Sequence, residues 1–161
     1  MLVSLFVRGK LILFNSYICS NFKLMTLIKS ISGIRGTIGG FLGDNLTPID
    51  VVKYTSAYGM WLKSRSKGKI KVVVGRDARI SGLIFQNLVD STLQSLGINV
   101  IDLGLSTTPT VEIAVSMEKA SGGIILTASH NPKQWNALKL LNDKGEFVSA
   151  KDGNEILTIA E

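Results

Sequence analysis

The sequence predicts an α/β domain of three layers, with helices on both faces of a mixed, mainly parallel sheet that has an antiparallel edge. Three observations favour this fold. From Met25 onwards, strand-like and helix-like segments alternate along the chain. Three of the strand-like segments are short, apolar and rich in β-branched residues, which is typical of buried parallel strands. The two strand-like segments nearest the C-terminus, at residues 137–141 and 146–149, are joined by a tight polar turn, which is typical of a hairpin.

The first half of the domain begins with an apolar run at residues 27–34, which predicts a strand that leads into a glycine-rich loop. Thr47 is a good helix N-cap and Pro48 suits the first helical position, so a helix is expected from there to about residue 64. Residues 69–74 then predict a buried strand.

The second half continues the alternation. Leucine and isoleucine at helical spacing predict a helix over residues 83–96, and Gly97 is the expected stop. The remaining elements are a strand at 99–103, a helix at 108–117, a buried strand at 122–127 and a hairpin of 137–141 with 146–149.

The net charge of +6 does not by itself indicate a nucleic-acid partner. Residues 1–24 contain three of the 18 bases and no acid, so half of the excess lies in this leader. The main basic cluster, at residues 63–71, has bases at alternate positions and no aromatic residues among them to stack on bases. We therefore expect a solvated connection between a helix and a strand, and no nucleic-acid partner.

The leader is apolar, but its longest uncharged stretch, residues 11–22, is well short of the roughly 20 residues that a spanning helix needs. We expect no membrane association. Translation starting at Met25 would make residues 1–24 a non-native extension or a mis-assigned start, with one domain at 25–161. The single Cys19 and the single His130 exclude an internal disulfide and a Cys or His cluster for metal binding, and they favour a cytoplasmic protein.

Three polar loops follow strand-like segments, at residues 32–37, 75–82 and 127–132. In α/β sheets, ligands bind where strands end and loops meet helix N-termini. Arginine side chains beside glycine-rich backbone suit a phosphate or a sugar phosphate. For Arg76, Asp77 and Arg79 the alternative is an internal ion pair that holds the loop, and that arrangement is the more common one.

Ser129 stands in a turn that Asn131 and Pro132 complete, so its hydroxyl is expected to face the same crevice as Arg35. A hydrolase in which Ser129 and His130 act as nucleophile and base is disfavoured, because adjacent side chains usually point apart and no nucleophile elbow is present. From the residues alone, Ser129 is either a turn residue or a group that takes part in chemistry.

Four segments carry a resemblance to a known family. They are GIRG at 33–36, GRD at 75–77, TP at 108–109 and TASHNP at 127–132, the last followed by Asn136 and Lys139. Together and in this order they resemble the first domain of the α-D-phosphohexomutases, the family of phosphoglucomutases, phosphomannomutases and phosphoglucosamine mutases. The resemblance covers one of the four domains of that family.

The resemblance implies that Ser129 is carried as phosphoserine, which gives its phosphoryl group to a hexose monophosphate and takes another back. It implies that Arg35 and Lys139 stabilise the transferring charge as catalytic residues, together with His130. The implied substrate or phosphate contacts are Asn131, Thr127 and Arg76. One departure from the family pattern is Ala137, which follows Asn136 where many members have glycine.

The resemblance also implies Mg²⁺, bound through the phosphate on Ser129 and completed by residues outside this chain, and a hexose 1,6-bisphosphate as intermediate and activator. The sugar phosphate and domains II to IV of the same enzyme are the implied partners, so the chain alone is expected to be inactive. The favoured substrate is glucosamine 6-phosphate, by similarity to bacterial phosphoglucosamine mutases. Phosphomannomutase or phosphoglucomutase activity, or a non-catalytic truncated sugar-phosphate-binding remnant, are the alternatives.

Overall fold

A computed structural model describes residues 3–7, 10–14, 25–30 and 33–161. The first two of these segments are strands, β1 (Val3–Val7) and β2 (Lys10–Phe14), which pair antiparallel as a sheet of their own. Cys19 lies outside the described residues, and the start at Met25 stays a prediction. Among the described residues, no helix has both the length and the apolarity that crossing a bilayer requires.

The domain consists of a six-stranded sheet and four helices. The strands are β3 (Ile28–Ser30), β4 (Gly33–Thr37), β5 (Lys71–Arg76), β6 (Asn99–Leu105), β7 (Gly122–Leu126) and β8 (Trp135–Leu141), in the order β3-β4-β8-β7-β5-β6. The helices are α1 (Pro48–Arg65), α2 (Gly82–Ser95), α3 (Thr108–Met117) and α4 (Ala150–Ala160).

The sheet is mixed, as the sequence predicts. β5 pairs in parallel with both β6 and β7, whereas β8 runs antiparallel to β7 on one side and to β4 on the other. β3 then pairs antiparallel with β4. Four of the six strands therefore point the same way, but the antiparallel part is half of the sheet rather than an edge, and β8 lies inside it.

Helices cover both faces, which confirms the three layers. Side chains alternate between the faces of a strand, so neighbouring valines of β5 enter different cores. Val72 and Val74 pack in the larger core, beneath α1, α2 and α4, whereas Val73 packs in the smaller one against α3. α3 packs over β5 and β7 and reaches β8 at Leu141, the last residue of that strand, whereas its main contacts leave out the same face of β4 and the earlier part of β8.

Local signals set the helix ends where the sequence predicts them. The Thr47 side chain accepts from the Asp50 N–H while the Asp50 carboxylate accepts from the Thr47 N–H, and Pro48 opens α1 behind this capping box. Gly97, at φ +73°, follows the end of α2 in the left-handed conformation that glycine adopts without strain. Arg65 at the end of α1 pairs with Asp152 and Glu155, so part of the basic cluster in this connection is neutralised internally.

Two sequence predictions are wrong. Residues 33–37 form strand β4 rather than a loop. Gly33, at φ +131°, turns the chain back so that β4 can pair in the sheet. A side chain at this position would collide with the Leu138 carbonyl oxygen. The predicted second strand of the final hairpin, at residues 146–149, is reduced to an isolated bridge between Leu141 and Phe147. It is followed by helix α4, which the sequence analysis did not predict.

Tyr58 ties helix α1 to the centre of the sheet. Its side chain is fully buried, and its hydroxyl donates to the carbonyl of Leu141 at 2.7 Å and lies 3.3 Å from that of Gly123. Burial strongly raises the pKa of the phenol, so it stays a neutral donor. The bond joins β7, β8 and α1 at one point.

Replacing Tyr58 with phenylalanine should lower the free energy of unfolding by about 1–3 kcal/mol, since it leaves buried carbonyl groups without their donor. Chemical denaturation measures this. Tyr54→Phe is the matched control, because the Tyr54 ring is as buried but its hydroxyl makes no hydrogen bond to a described residue. Equal losses in the two variants would contradict the assignment.

Asp90 on α2 is the carboxyl group that the fold disfavours in its charged form. Burial, and then the negative charge of Asp102 on β6, raise its pKa to about 6 from an ordinary value of 3.8, against a smaller opposing effect of the Gln86 amide. The native state therefore holds this proton more tightly than the unfolded chain does. The resulting stabilisation is complete below pH 3.8 and is lost as the pH rises through 6.

An Asp90→Asn variant should accordingly gain stability relative to the parent chain as the pH rises from 5 to about 7.5, because the substituted amide never ionises. Urea midpoints at the two pH values measure the difference. Asp143→Asn, in the exposed turn after β8, serves as control. Parent and Asp90→Asn curves that run parallel across this range would contradict the prediction.

Candidate functional site

A cavity of about 300 Å³ opens at the carboxyl end of β7, where the face of β8 and β4 lacks a helix. Five of its lining residues belong to the segment that follows β7 and three to the adjoining strands, and the last is an aromatic residue from the return of the hairpin. The lining residues are Thr127, Ala128, Ser129, His130, Asn131, Arg35, Ala137, Lys139 and Phe147.

The pairing of β4 with β8 brings the two cations of this cavity together. Arg35 lies opposite Ala137, and Lys139 lies two residues further along β8. Because side chains at i and i+2 share a face of a strand, Arg35, Ala137 and Lys139 all project from the face that α3 leaves open. Arg35 is exposed and Lys139 is half-buried.

The electrostatic character of the cavity follows from this lining. It contains the full positive charges of Arg35 and Lys139 and no carboxylate. Within the described part of the chain, neither cation forms an ion pair. The Lys139 ammonium lies 5.9 Å from the centre of the Phe147 ring, close enough for a cation–π contact. Such a cavity favours an anion.

Ser129 is exposed and adopts a left-handed backbone conformation, with φ at +53°. For a residue other than glycine this conformation costs about 1–3 kcal/mol and persists only where the surroundings enforce it. The segment that holds it, residues 127–135, is called the serine loop below.

A chain of hydrogen bonds fixes the start of the serine loop. The Ser129 N–H donates to the Thr127 hydroxyl at 3.0 Å, and that hydroxyl donates to the Asp77 carboxylate at 2.7 Å. The Asn131 N–H and side-chain amide both donate to the Ala128 carbonyl, which closes the turn around Ser129. These contacts fix the backbone from which the serine side chain projects.

Arg79 fixes the rest of the serine loop. Its Nε donates to Asp77 at 3.1 Å, so the Asp77 carboxylate joins Arg79 and Thr127 in one network. Its two Nη atoms donate to four backbone carbonyl oxygens, at distances between 2.7 and 3.0 Å. These carbonyls belong to Ser129, Asn131, Pro132 and Trp135. Every N–H of the guanidinium group therefore has an acceptor.

The structure brings six of the seven predicted site residues into the cavity, namely Ser129, Arg35, Lys139, His130, Asn131 and Thr127. It does not bring Arg76 there: this side chain stays beside its own loop, with Nη1 3.5 Å from the Asp77 carbonyl. The predicted internal ion pair exists, and Asp77 and Arg79 form it.

Two further lining residues need comment. Ala137, which the sequence analysis noted as a departure from the pattern it resembles, lies in β8 without a positive φ, so an alanine there introduces no backbone strain. Phe147, 42% exposed, borders the cavity from the hairpin return. The predicted hairpin contained the signal for Phe147, since it places this residue beside the end of β8.

The described residues do not supply a magnesium site. They contain no cluster of three or more His, Cys, Asp or Glu side chains. The nearest carboxylate in the network, Asp77, already binds Arg79 and Thr127. Mg²⁺ is held mainly by carboxylate, phosphate and water oxygens, and the cavity itself offers none from a carboxylate.

Comparison with known proteins identifies the family. Residues 27–161 match the family described as phosphoglucomutase/phosphomannomutase, alpha/beta/alpha domain I. A phosphoglucomutase/phosphomannomutase of Thermococcus kodakarensis is 40% identical over 112 residues, which cover 68% of this chain and 25% of the relative. A phosphoglucosamine mutase of Helicobacter pylori strain Shi470 is 38% identical over 125 residues, 76% of this chain and 28% of the relative.

The fold has solved counterparts as well. A crystal structure from Thermus thermophilus, provisionally assigned as a phosphomannomutase, aligns with a TM-score of 0.76 and 30% identity over 84% of this chain and 30% of that one. The chain belongs to the phosphoglucomutase/phosphomannomutase family and corresponds to its N-terminal domain I. It spans about a quarter of the length of the curated relatives it matches.

Replacing Thr127 with valine should test the network that holds Ser129. The variant keeps the shape of the side chain but removes the acceptor of the Ser129 N–H and a donor to Asp77, so the free energy of unfolding should fall by about 1–3 kcal/mol. Chemical denaturation measures it. Thr158→Val, at an exposed position of α4, should change stability by less than about 0.5 kcal/mol. An equal loss of free energy of unfolding in both variants would contradict the stabilising role of the Thr127 hydroxyl.

Proposed function

We propose that this chain is the domain of a phosphohexomutase that carries the reactive serine, and that Ser129 holds the phosphoryl group in transit. The observation that supports the proposal most directly is the position of Ser129. It is exposed, held in an enforced left-handed conformation and set in a cavity with Arg35 and Lys139 and no carboxylate. Transfer of a phosphoryl group depends mainly on such positioning and neutralisation of charge.

The proposed step is a transfer between two oxygen atoms. The bond between phosphorus and the Ser129 oxygen breaks while a bond between phosphorus and a hydroxyl oxygen of the hexose monophosphate forms. The proton of the sugar hydroxyl ends on the serine oxygen, so atoms and charge balance. The bisphosphorylated sugar then turns around and returns its other phosphoryl group to Ser129 by the reverse step, which yields the isomeric monophosphate.

The cavity residues have distinct proposed roles. Arg35 and Lys139 stabilise the negative charge on the transferring phosphoryl oxygens, and either can assist the movement of the proton at the sugar hydroxyl. His130 and Asn131 shape the loop and contact phosphate or substrate. Thr127 holds Ser129 in place by accepting a hydrogen bond from its N–H, and is itself a phosphate or substrate contact. Arg76 stays a predicted phosphate contact, although the structure places it outside the cavity.

The proposal includes groups from outside this chain. Mg²⁺ would take a phosphate oxygen on Ser129 as one ligand, and carboxylates from elsewhere would complete its site. When bound, it would neutralise charge on the phosphoryl group. A hexose 1,6-bisphosphate is the proposed intermediate and activator, domains II to IV are the proposed partners, and the cytoplasm is the proposed location.

Glucosamine 6-phosphate is the substrate that we favour, with glucosamine 1-phosphate as the product. Relatives named phosphoglucosamine mutase support this choice, whereas a relative named phosphoglucomutase/phosphomannomutase supports mannose or glucose phosphate as the alternative. The cavity itself binds the phosphoryl group rather than the part of the sugar in which these substrates differ.

Activity of the protein expressed from its complete reading frame tests the proposal. With a hexose 1,6-bisphosphate and Mg²⁺ present, it should interconvert the 6- and 1-phosphates of one hexose in a panel of glucosamine, mannose and glucose. Ser129→Ala should abolish conversion of every substrate, since the phosphoryl carrier is lost. Phosphate NMR follows the two isomers directly.

Ser64→Ala, a serine on α1 that bonds the Trp61 carbonyl outside the cavity, is the matched control and should retain activity. Intact mass spectrometry of the parent protein should show one added phosphoryl group, located at Ser129. Full activity of Ser129→Ala would refute the proposed role of this serine. Binding of sugar phosphates without any interconversion would favour the non-catalytic alternative.

A further inference from the structure

We infer that Arg79 is a positioning residue which turns the backbone N–H of His130 towards a phosphoryl group on Ser129, so that this amide is an additional phosphate donor of the site. The inference rests on the proposed function for the identity of the anion. Its geometric basis is independent of the sugar and of any group from outside the chain. Arg79 does not line the cavity, so it acts through the serine loop and not on the substrate.

The orientation follows from the planarity of the peptide bond. The carbonyl of Ser129 and the N–H of His130 belong to one peptide group, and in a trans peptide these two bonds point in opposite directions. Arg79, which does not line the cavity, binds the Ser129 carbonyl at 2.7 Å. The His130 N–H is therefore directed away from the guanidinium, and His130 itself lines the cavity together with Ser129.

The neighbouring amides of the turn are already engaged. The Ser129 N–H donates to the Thr127 hydroxyl, and the Asn131 N–H donates to the Ala128 carbonyl. Among the described residues, the His130 N–H has no acceptor. It is thus the donor that the turn leaves for a ligand, next to the hydroxyl that would carry the phosphate. Backbone amides beside a residue in the left-handed conformation commonly bind anions in this way.

Only an arginine can hold the loop in this form. All five N–H groups of Arg79 are used, one on Asp77 and four on loop carbonyls, and its side chain is only 11% exposed. A lysine at this position keeps the charge but has three donors on a single nitrogen, which cannot span four carbonyls and a carboxylate. Arg79→Lys therefore keeps the positive charge but removes the planar set of five donors, so it distinguishes the effect of their geometry from that of the charge.

The test uses the 161-residue chain with phosphoserine installed at position 129 by codon reassignment, so that it does not depend on any transfer reaction. In metal-free buffer at pH 8, amide NMR should show a large downfield shift of the His130 N–H relative to the unphosphorylated chain. In Arg79→Lys this shift should be lost. Arg65→Lys, which alters an arginine with carboxylate partners at the far end of α1, should leave it intact.

A kinetic comparison completes the test. In the protein from the complete reading frame, Arg79→Lys should lower kcat by roughly tenfold to a hundredfold with little change in KM, as expected when a reacting group is misplaced. An unshifted His130 amide in the phosphorylated parent chain, or an equal shift in Arg79→Lys, would overturn the inference. Failure of the proposed function would show itself separately, as absence of interconversion in a parent protein whose His130 amide still responds to the phosphate.

Discussion

The antiparallel pairing of β4 with β8 is the contact on which the candidate site depends. It places a strand from the start of the domain beside one from its end, so that Arg35 and Lys139 project from the same face. The site also requires that this face be open. Because α3 covers β5 and β7, two cations can stand at a sheet surface that a helix would otherwise occupy. Fold and charge are thus set by the same strand order.

The serine loop shows how hydrogen bonds maintain a strained residue. The left-handed conformation of Ser129 is unfavourable in isolation, but the loop around it has hydrogen bonds to the side chains of Asp77 and Arg79, which both lie in the segment after β5. Arg79 and Asp77 in turn neutralise each other, so the network adds no net charge near the cavity. Among the residues that line the cavity, Arg35 and Lys139 carry the full positive charges, and neither forms an ion pair with a described residue.

Much of the fold could be predicted from the sequence because its signals are local. Thr47, Pro48 and Gly97 mark helix ends by their own conformational preferences, and the β-branched runs of β5 and β7 are long enough to be recognised. Strand β4 could not be recognised in this way. It has glycines at both Gly33 and Gly36, and its place in the sheet depends on β8, a partner that is distant in sequence.

Helix α4 and the candidate site illustrate the same difference. α4 contains a glycine and several β-branched residues, so its intrinsic propensity is weak, and its packing against α1 stabilises it. For the site, the residues alone left the role of Ser129 open, and the resemblance of four segments to a known family singled out this serine together with Arg35 and Lys139. The contacts of Arg79 could not be predicted from the sequence. Its partners are mainly backbone carbonyls, which every residue has, so the residue types in the loop do not indicate them.

That last property has a consequence for how the domain can vary. A loop that is gripped through its main chain places few demands on the side chains that it presents, since nearly any amino acid offers the same oxygen to the guanidinium. The exposed positions Lys133 and Gln134 of the serine loop are therefore free to diversify. A domain built in this way can change the side chains on the surface of this loop while its reactive hydroxyl stays where it is.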